Sequence, residues 1–215
     1  MTLRLNKAHF PVTTLGPGRR IGLWTQGCAL RCPGCCARDT WASDPGRAIP
    51  IAAVLQWCRT AAPAGPDGIT ISGGEPFAQP QALAELLDGL SDWRRGLPQP
   101  FDILCYSGMS LSHLEAAHPE ILARLDALIP EPYVADRPST GAWRGSDNQP
   151  LVALSPLGLA RYPPGDVPPA PKRLQFAIDA ESIWCIGIPA RGDLATLETL
   201  CRSRGLTLEA VSWRA

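Results

Sequence analysis

The sequence predicts an α/β protein with a mainly parallel sheet, because strand-like and helix-like segments alternate along most of the chain. Three short apolar runs end in glycine-containing turns and are predicted strands: residues 20–27 (RIGLWTQG), 68–76 (GITISGGEP) and 101–108 (FDILCYSG). Between them, residues 50–62 and 79–91 carry apolar side chains at the spacing of an amphipathic helix. Strands joined through helices in this way pair in parallel, with right-handed crossovers.

The rest of the chain continues the alternation with one long interruption. A helix is predicted after a capping Ser110 or Ser112, and prolines shorten the strand predicted at 126–134. A loop rich in Pro, Gly, Ser and Arg follows at about 135–172. The remaining predicted elements are a short strand at 151–155 within that loop, two strands in 173–189 with a turn near 179–181, a helix at 193–204 capped by Asp193, and an extended tail at 206–213. We expect one domain over residues 1–215, in which 173–215 form the C-terminal strand pair and helix.

Composition and charge exclude several classes of protein. The 215 residues include 20 basic and 20 acidic side chains, and the pI is about 6.8. No basic excess therefore indicates binding to nucleic acid or to an anionic membrane. The first residues, MTLRLNKAHF, lack the apolar core of a secretory signal, and no apolar run is long enough to span a bilayer. We expect a cytoplasmic protein in a reducing compartment, where structural disulfides are rare.

Three motifs follow the three predicted parallel strands. A cysteine loop, residues 27–41, follows the first strand; Gly-Gly-Glu-Pro at 73–76 ends the second; and Tyr-Ser-Gly at 106–108 ends the third. Because the carboxyl ends of parallel strands meet at one edge of a sheet, ligand sites form there. The sequence therefore predicts that the three motifs share one rim.

Four of the eight cysteines lie within nine residues of the cysteine loop. Cys28, Cys32 and Cys35 have the spacing C-x3-C-x2-C, and Cys36 follows directly. A zinc site usually needs two separated cysteine pairs, which the chain lacks, and adjacent residues rarely both turn toward one ion. Three thiolates on an iron–sulfur cube leave one iron open for a substrate or cofactor. The other four cysteines, each isolated in a predicted helix or strand, are expected to pack as small apolar side chains.

The spacing of Cys28, Cys32 and Cys35, with GGEP at 73–76 one βα unit later, resembles the radical S-adenosylmethionine (SAM) superfamily. The resemblance extends over roughly residues 14–155. Within the superfamily, it points to one group of enzymes. The segments similar to the activating enzymes of anaerobic ribonucleotide reductase are GPGRRIGLWTQGCALRCPGC (16–35), TW (40–41), YSG (106–108) and WRGSDNQ (143–149).

This resemblance implies a partial (βα)6-type parallel barrel, the radical SAM core, and two cofactors. Cys28, Cys32 and Cys35 would ligate a [4Fe-4S] cluster, and SAM would bind the open iron through its amino and carboxylate groups. An electron from the cluster would cleave a carbon–sulfur bond of SAM, and the resulting 5′-deoxyadenosyl radical would abstract a hydrogen atom from the substrate. The protein would orient the cofactors and exclude water.

The resemblance also implies SAM contacts from the first two loops of the rim. Gly73 and Gly74 would let the second strand approach the methionine moiety closely. Glu75 would pair with the SAM ammonium. Backbone around Gly34 and Cys36 would meet the adenine.

Further SAM contacts are implied for the third strand and the long loop. Ser107, or the backbone of Tyr106, would bond the ribose. Residues of the WRGSDNQ segment would bind the SAM carboxylate or ribose, and the side chains predicted for this role are Ser146, Asn148 or Gln149, with Arg144 assisting.

Three functions follow as hypotheses. The first is activation of a glycyl-radical enzyme, with a flavodoxin or ferredoxin as the reducing partner. The second is a radical SAM enzyme that modifies a small molecule or another peptide; Ala37 and Pro130 favour it, because the activating enzymes usually carry Asn and Asp at these positions. The third is a non-enzymatic module with a structural zinc or a redox-sensing cluster.

Overall fold

A computed structural model describes residues 1–141, 143–163, 172–179 and 182–214. Nine strands and six α-helices are present in these residues. The strands are β1 (Thr2–Val12), β2 (Arg20–Thr25), β3 (Ala48–Pro50), β4 (Gly68–Gly73), β5 (Asp102–Tyr106), β6 (Ala127–Ile129), β7 (Val152–Ala153), β8 (Leu174–Ile178) and β9 (Ile183–Gly187). The helices are α1 (Ile51–Ala61), α2 (Pro80–Arg95), α3 (Leu111–Ala117), α4 (Pro119–Leu122), α5 (Pro156–Arg161) and α6 (Asp193–Ser203).

A seven-stranded sheet in the order β3-β1-β2-β4-β5-β6-β7 forms the centre of the protein. Its middle strands β2, β4, β5 and β6 are parallel, which confirms the predicted α/β class. Antiparallel strands flank them, with β1 and β3 on one side and β7 on the other. In the described residues the parallel part therefore has four strands rather than six.

Strand β1 was absent from the sequence-based prediction. Its burial does not alternate cleanly: Leu3 and Leu5 are buried, whereas most of the strand beyond them is half-buried on both faces. The strand forms because it pairs with β2 along its length and with β3 at its start. Pairing between distant segments leaves no periodic trace in a local sequence pattern.

The predicted helices are present, with differences at their ends. Ser110 caps α3 through a hydrogen bond from the His113 N–H, and Pro119 divides the predicted helix into α3 and α4. Gly192 is the N-cap of α6, whereas the carboxylate of Asp193 accepts the N–H of Ala190. No helix in the described ranges is long and apolar enough to cross a membrane.

The long Pro-rich loop contains an element that the sequence did not predict. Helix α5 lies within it, and Ser155 caps this helix by accepting the Gly158 N–H. Residues 142, 164–171 and 180–181 lie outside the described part of the chain, so part of this loop and of the predicted turn near 179–181 are not described. The two strands predicted in 173–189 are β8 and β9, and they pair antiparallel.

The two faces of the sheet are covered differently. Helices α1 to α4 pack on one face and form the main core, in which fifteen side chains are fully buried: Leu3, Ile21, Leu23, Cys58, Ile69, Ile71, Leu83, Leu86, Leu87, Leu90, Phe101, Ile103, Cys105, Leu114 and Leu128. Full burial of one such side chain contributes about 1.5–3 kcal/mol. The opposite face is covered by Tyr162 after α5 and by Ile186 of β9. The C-terminal hairpin thus packs against the sheet as part of the same structure.

A buried ion pair fixes the amino ends of the parallel strands. Arg20 donates to both carboxylate oxygens of Asp102, at 3.0 and 2.7 Å, and its Nε donates to Thr70 Oγ1 at 2.7 Å. The Tyr162 hydroxyl donates to the same carboxylate at 2.6 Å. These bonds join β2, β4, β5 and the segment after α5, and leave the carboxyl ends of the strands available for a site.

Candidate functional site

The three motifs at the carboxyl ends of the parallel strands contact one another. Gly74 N–H donates to the Thr25 carbonyl at 2.8 Å, and Glu75 N–H donates to the Gly27 carbonyl at 2.9 Å. The Gly108 N–H in turn donates to Glu75 Oε2 at 2.8 Å. The loops after β2, β4 and β5 therefore form one rim, as the alternation of elements predicts.

Backbone hydrogen bonds close the cysteine loop at its base. Gly27 N–H donates to the Thr40 carbonyl at 2.7 Å, and Cys28 N–H donates to the Trp41 carbonyl at 3.0 Å. Gly27 has a φ of +103°, a value that glycine adopts without strain. The chain therefore leaves β2, makes the loop that carries the cysteines, and returns beside its own starting point.

The side chain of Gln26 holds the returning part of this loop. Its Nε2 donates to the Asp39 carbonyl at 3.1 Å and to the Ala42 carbonyl at 2.7 Å, while its Oε1 accepts from Asn6 Nδ2 at 2.6 Å. Gln26 is 3% exposed, so these bonds form away from water. Such buried bonds are costly to remove, because the partners would remain unsatisfied.

Backbone N–H groups face two of the three predicted ligand sulfurs. Ala37 N–H donates to Cys35 Sγ at 3.4 Å. Burial raises the pKa of the Cys28 thiol, and the backbone N–H groups of Leu30 and Arg31 act in the opposite direction. N–H groups directed at sulfur are typical of iron–sulfur ligation, where they stabilise the negative charge of the thiolates.

The arrangement of the cysteines suits a cluster better than a single ion. All eight cysteines are free thiols, and Cys28, Cys32 and Cys35 are half-buried. Three thiolates are the donor set of a [4Fe-4S] cube that keeps one iron open, whereas a structural zinc site is closed by four ligands. The donor set therefore fits the cluster.

Cys36 differs from its three neighbours. Cys36 is exposed, whereas the three cysteines of the C-x3-C-x2-C spacing are half-buried. The backbone around Cys36 and Gly34 is the predicted adenine contact. A Cβ added at Gly34, where φ is +78°, would lie 3.3 Å from the Tyr133 ring, so the loop packs tightly against the segment after β6.

Gly73 and Gly74 permit close approach between strands. A Cβ at Gly73, where φ is +102°, would lie 2.4 Å from the Thr25 nitrogen, and one at Gly74 would lie 2.5 Å from the Gly27 carbonyl oxygen. Both distances are below any tolerated contact. The sequence predicted that these glycines admit SAM, and the structure gives an additional reason for them: the end of β4 touches the backbone at the start of the cysteine loop.

Glu75 is 2% exposed and accepts three hydrogen bonds. Oε1 accepts from Phe77 N–H at 3.0 Å and from the Ser107 hydroxyl at 2.9 Å, and Oε2 accepts from Gly108 N–H at 2.8 Å. Burial raises its pKa, while these three donors lower it. A carboxylate has about four acceptor positions, so capacity for one more donor remains, on Oε2. Its pairing with the SAM ammonium stays a prediction.

Tyr106 and Ser107 connect the rim to its neighbours. The Tyr106 hydroxyl donates to the Trp143 carbonyl at 2.7 Å, which ties the end of β5 to the long loop. The Ser107 oxygen accepts the Met109 N–H at 3.0 Å while its hydrogen is directed to Glu75. Both side chains therefore have internal partners, and contact with the SAM ribose stays a prediction.

The WRGSDNQ segment (143–149) packs against the residues that follow β6. Ser146 is fully buried, and its hydroxyl accepts the Val134 N–H at 3.1 Å. Gln149 accepts the N–H groups of Gly145 and Ser146 through Oε1 and donates to the Glu131 carbonyl at 2.9 Å. These two side chains hold the segment at the rim, next to the other three loops. Their contact with SAM stays a prediction.

Asn148 carries an unpartnered acceptor at this rim. Its Nδ2 donates to the Pro132 carbonyl at 2.8 Å, whereas its Oδ1 is buried and has no hydrogen-bond partner among the described residues. A buried acceptor without a donor is costly, and indicates that a donor arrives from elsewhere. SAM offers ammonium and ribose hydroxyl donors, but its carboxylate would repel an acceptor. The residue therefore fits the SAM ribose or ammonium.

Several residues of the site were not predicted from the sequence. Gln26 directly precedes the cysteine loop and Ala37 lies within it, but a side chain that holds a loop and a backbone N–H that faces sulfur have no sequence signature. Ser212 contacts the cysteine loop from the far end of the chain: its hydroxyl donates to the Cys36 carbonyl at 2.8 Å. A contact across so many residues leaves no local signal.

Comparison with known proteins agrees with the site. A family model described as a 4Fe-4S single cluster domain matches residues 14–152. The anaerobic ribonucleoside-triphosphate reductase-activating protein of Escherichia coli K12 is 31% identical over 145 residues, which are 66% of this chain and 93% of the relative. The protein of that name from Enterobacteria phage T4 is 31% identical over 136 residues, 63% of this chain and 85% of the relative.

Two further matches are weaker, one in the share of the chain covered and the other in sequence identity. The pyruvate formate-lyase-activating enzyme of Staphylococcus aureus USA300 is 39% identical over 84 residues, 37% of this chain and 34% of that enzyme. Among solved structures, QueE from Escherichia coli aligns with a TM-score of 0.45 and 15% identity over 63% of this chain and 74% of its own.

The predicted resemblance is thereby confirmed, and with it the enzyme class and the two cofactors, a [4Fe-4S] cluster and SAM. The chain belongs to the radical SAM family of 4Fe-4S single cluster domain proteins that includes the anaerobic ribonucleoside-triphosphate reductase-activating proteins.

Proposed function

We propose that this protein activates a glycyl-radical enzyme by removing a hydrogen atom from a glycine of that partner. The observation that carries the proposal is the cysteine loop. Cys28, Cys32 and Cys35 lie at the rim of the parallel strands, in a segment shared with two relatives named as activating proteins. The match to a pyruvate formate-lyase-activating enzyme over part of the chain supports the same class of partner.

The chain's own residues bind and orient the cofactors. Cys28, Cys32 and Cys35 would hold the cluster, which, with SAM bound, supplies the one-electron cleavage that starts hydrogen abstraction. Glu75 and Asn148 would receive donor groups of SAM at two points of the rim, since each retains acceptor capacity there. Two fixed acceptors restrict the orientation of a bound molecule more than one does.

We propose a flavodoxin or ferredoxin as the reducing partner. The cysteine loop lies at the surface, and seven of its residues are exposed: Ala29, Leu30, Arg31, Pro33, Gly34, Cys36 and Asp39. A surface position brings the cluster near a docked electron carrier. Reduced, free cysteines and an oxygen-sensitive cluster support a cytoplasmic location.

The test is electron paramagnetic resonance of an anaerobic mixture. It contains the reconstituted protein, SAM, a reductant and a glycyl-radical reductase or lyase from the same organism. We expect a SAM-dependent glycyl doublet with the wild type and none with Cys32→Ala, whereas Cys58→Ala, a buried core cysteine outside the site, leaves the signal unchanged. SAM cleavage without a doublet for any such partner would contradict the proposal.

A second candidate is modification of a small molecule or another peptide. The family match ends at residue 152, whereas the chain continues with the hairpin and α6, which supply a surface outside the matched part. Ala37 and Pro130 also depart from the activating-enzyme pattern. Sustained SAM turnover with a modified metabolite or peptide, and no glycyl doublet, would favour this candidate.

A further inference from the structure

The C-terminal tail is hydrogen-bonded to the cysteine loop at Ser212. The Ser212 hydroxyl donates to the Cys36 carbonyl at 2.8 Å, and the Ser212 carbonyl accepts the Arg38 N–H at 3.1 Å. The tail is held in turn by α6, because Trp213 Nε1 donates to Glu198 Oε1 at 2.6 Å. An ion pair between Arg214 and the same carboxylate adds a second connection.

The peptide unit that Ser212 contacts also faces a cluster ligand. The Cys36 carbonyl and the Ala37 N–H belong to one planar trans peptide, so they point in opposite directions. At one end the carbonyl accepts the Ser212 hydroxyl, and at the other the N–H donates to Cys35 Sγ at 3.4 Å. Fixing the carbonyl therefore fixes the direction of the N–H.

The contact also strengthens the donor. A hydrogen bond to a peptide carbonyl polarises the unit and makes its N–H a better donor. The second bond, from Arg38 N–H to the Ser212 carbonyl, holds the next peptide unit as well. Hydrogen bonds to the sulfurs are among the factors that set the reduction potential of an iron–sulfur cluster, and they favour the reduced, more negative state.

We propose that Ser212 is a positioning residue for the cluster, which orients and polarises the Cys36–Ala37 peptide so that its N–H raises the reduction potential. Ser212 lies outside the matched residues 14–152, so this hydrogen bond comes from the part of the chain beyond the family match. The inference rests on the cluster assignment in the proposed function but not on the identity of the partner.

The experiment compares four reconstituted proteins by redox titration followed with electron paramagnetic resonance. They are the wild type, Ser212→Ala, Ser212→Thr and the matched control Ser203→Ala, whose hydroxyl donates within α6 to the Leu200 carbonyl. We expect a lower midpoint potential in Ser212→Ala, a value near wild type in Ser212→Thr, which retains the hydroxyl, and no change in Ser203→Ala. Removal of residues 209–215 should lower the potential at least as far as Ser212→Ala.

A second measurement separates positioning from protection. The rate of iron loss to a chelator reports how well the tail shields the cluster, whatever its potential. Faster iron loss with an unchanged potential in Ser212→Ala would contradict the proposal, because a merely protective tail gives that pattern. An unchanged potential in both Ser212→Ala and the truncated protein would contradict it too. Failure of the wild type to take up a cluster would instead contradict the cluster assignment itself.

Discussion

At the scale of the residue, Asn148 stands apart from the other described side chains predicted to contact SAM, because it alone among them has a buried polar atom without a hydrogen-bond partner. Its Oδ1 is buried without a partner, while most of the other polar side chains predicted for the site hold loops together. Glu75 and Ser146 illustrate the difference, because their oxygens accept backbone N–H groups of the protein itself. Asn148 is therefore the side chain from which the structure predicts a ligand contact most directly.

We predict that Asn148→Ala weakens SAM binding about tenfold, which corresponds to one hydrogen bond of about 1–1.5 kcal/mol. Cluster uptake should not change, because the hydrogen bond of Asn148 goes to the Pro132 carbonyl and not to the cysteine loop. Titration calorimetry of SAM into the reconstituted protein measures the effect. Asp147→Asn, an exposed neighbour, is the matched control and should bind as the wild type does. Equal affinity in all three proteins would contradict the assignment.

At the scale of the element, local patterns predicted most of the fold. Helix α2 was predictable because its buried leucines recur at helical spacing, and β4 because an apolar run ends at two glycines. Strand β1 and helix α5 were not predictable in this way. Strand β1 depends on pairing with β2, and α5 is a short helix that depends on its cap by Ser155. The shared rim was predictable from topology, whereas its stabilising contacts were not.

The junction between β4 and the cysteine loop gives a prediction at this scale. Gly73→Ala should destabilise the protein by at least about 1–2 kcal/mol, because a Cβ at positive φ is strained and would overlap the Thr25 backbone. Urea unfolding of the cluster-free protein measures this. Gly96→Ala is the control, since φ there is −87° and the nearest atom would be 3.5 Å away. Equal stability of the two variants would show that the close approach is not required.

At the scale of the whole molecule, the C-terminal segment is packed into the structure. Ile186 of β9 is 4% exposed and contacts Val12 and Leu15, while Tyr162 donates to the buried Asp102. Ser212, near the end of the chain, donates a hydrogen bond to the Cys36 carbonyl in the cysteine loop. We therefore propose that the chain folds as one domain, as the sequence predicts, although the family match ends at residue 152.

If the hairpin belongs to that domain, Ile186→Ala should lower the free energy of unfolding by about 2–5 kcal/mol and preserve a single transition. Ile183→Ala in the same strand, where the side chain is 51% exposed, should cost little. Thermal unfolding followed by circular dichroism and by calorimetry measures both. A separate early transition, sensitive to Ile186→Ala alone, would mean that the hairpin unfolds independently.

The most direct test of the central claim is formation of 5′-deoxyadenosine by the anaerobically reconstituted protein with SAM and a reductant. The account predicts product and the absorbance of an iron–sulfur cluster in the wild type, and loss of both in Cys28→Ala, Cys32→Ala and Cys35→Ala. Cys36→Ala should retain both, because Cys36 lies outside the C-x3-C-x2-C spacing of Cys28, Cys32 and Cys35. No product from the wild type, or loss of the cluster in Cys36→Ala equal to that in Cys32→Ala, would contradict the account.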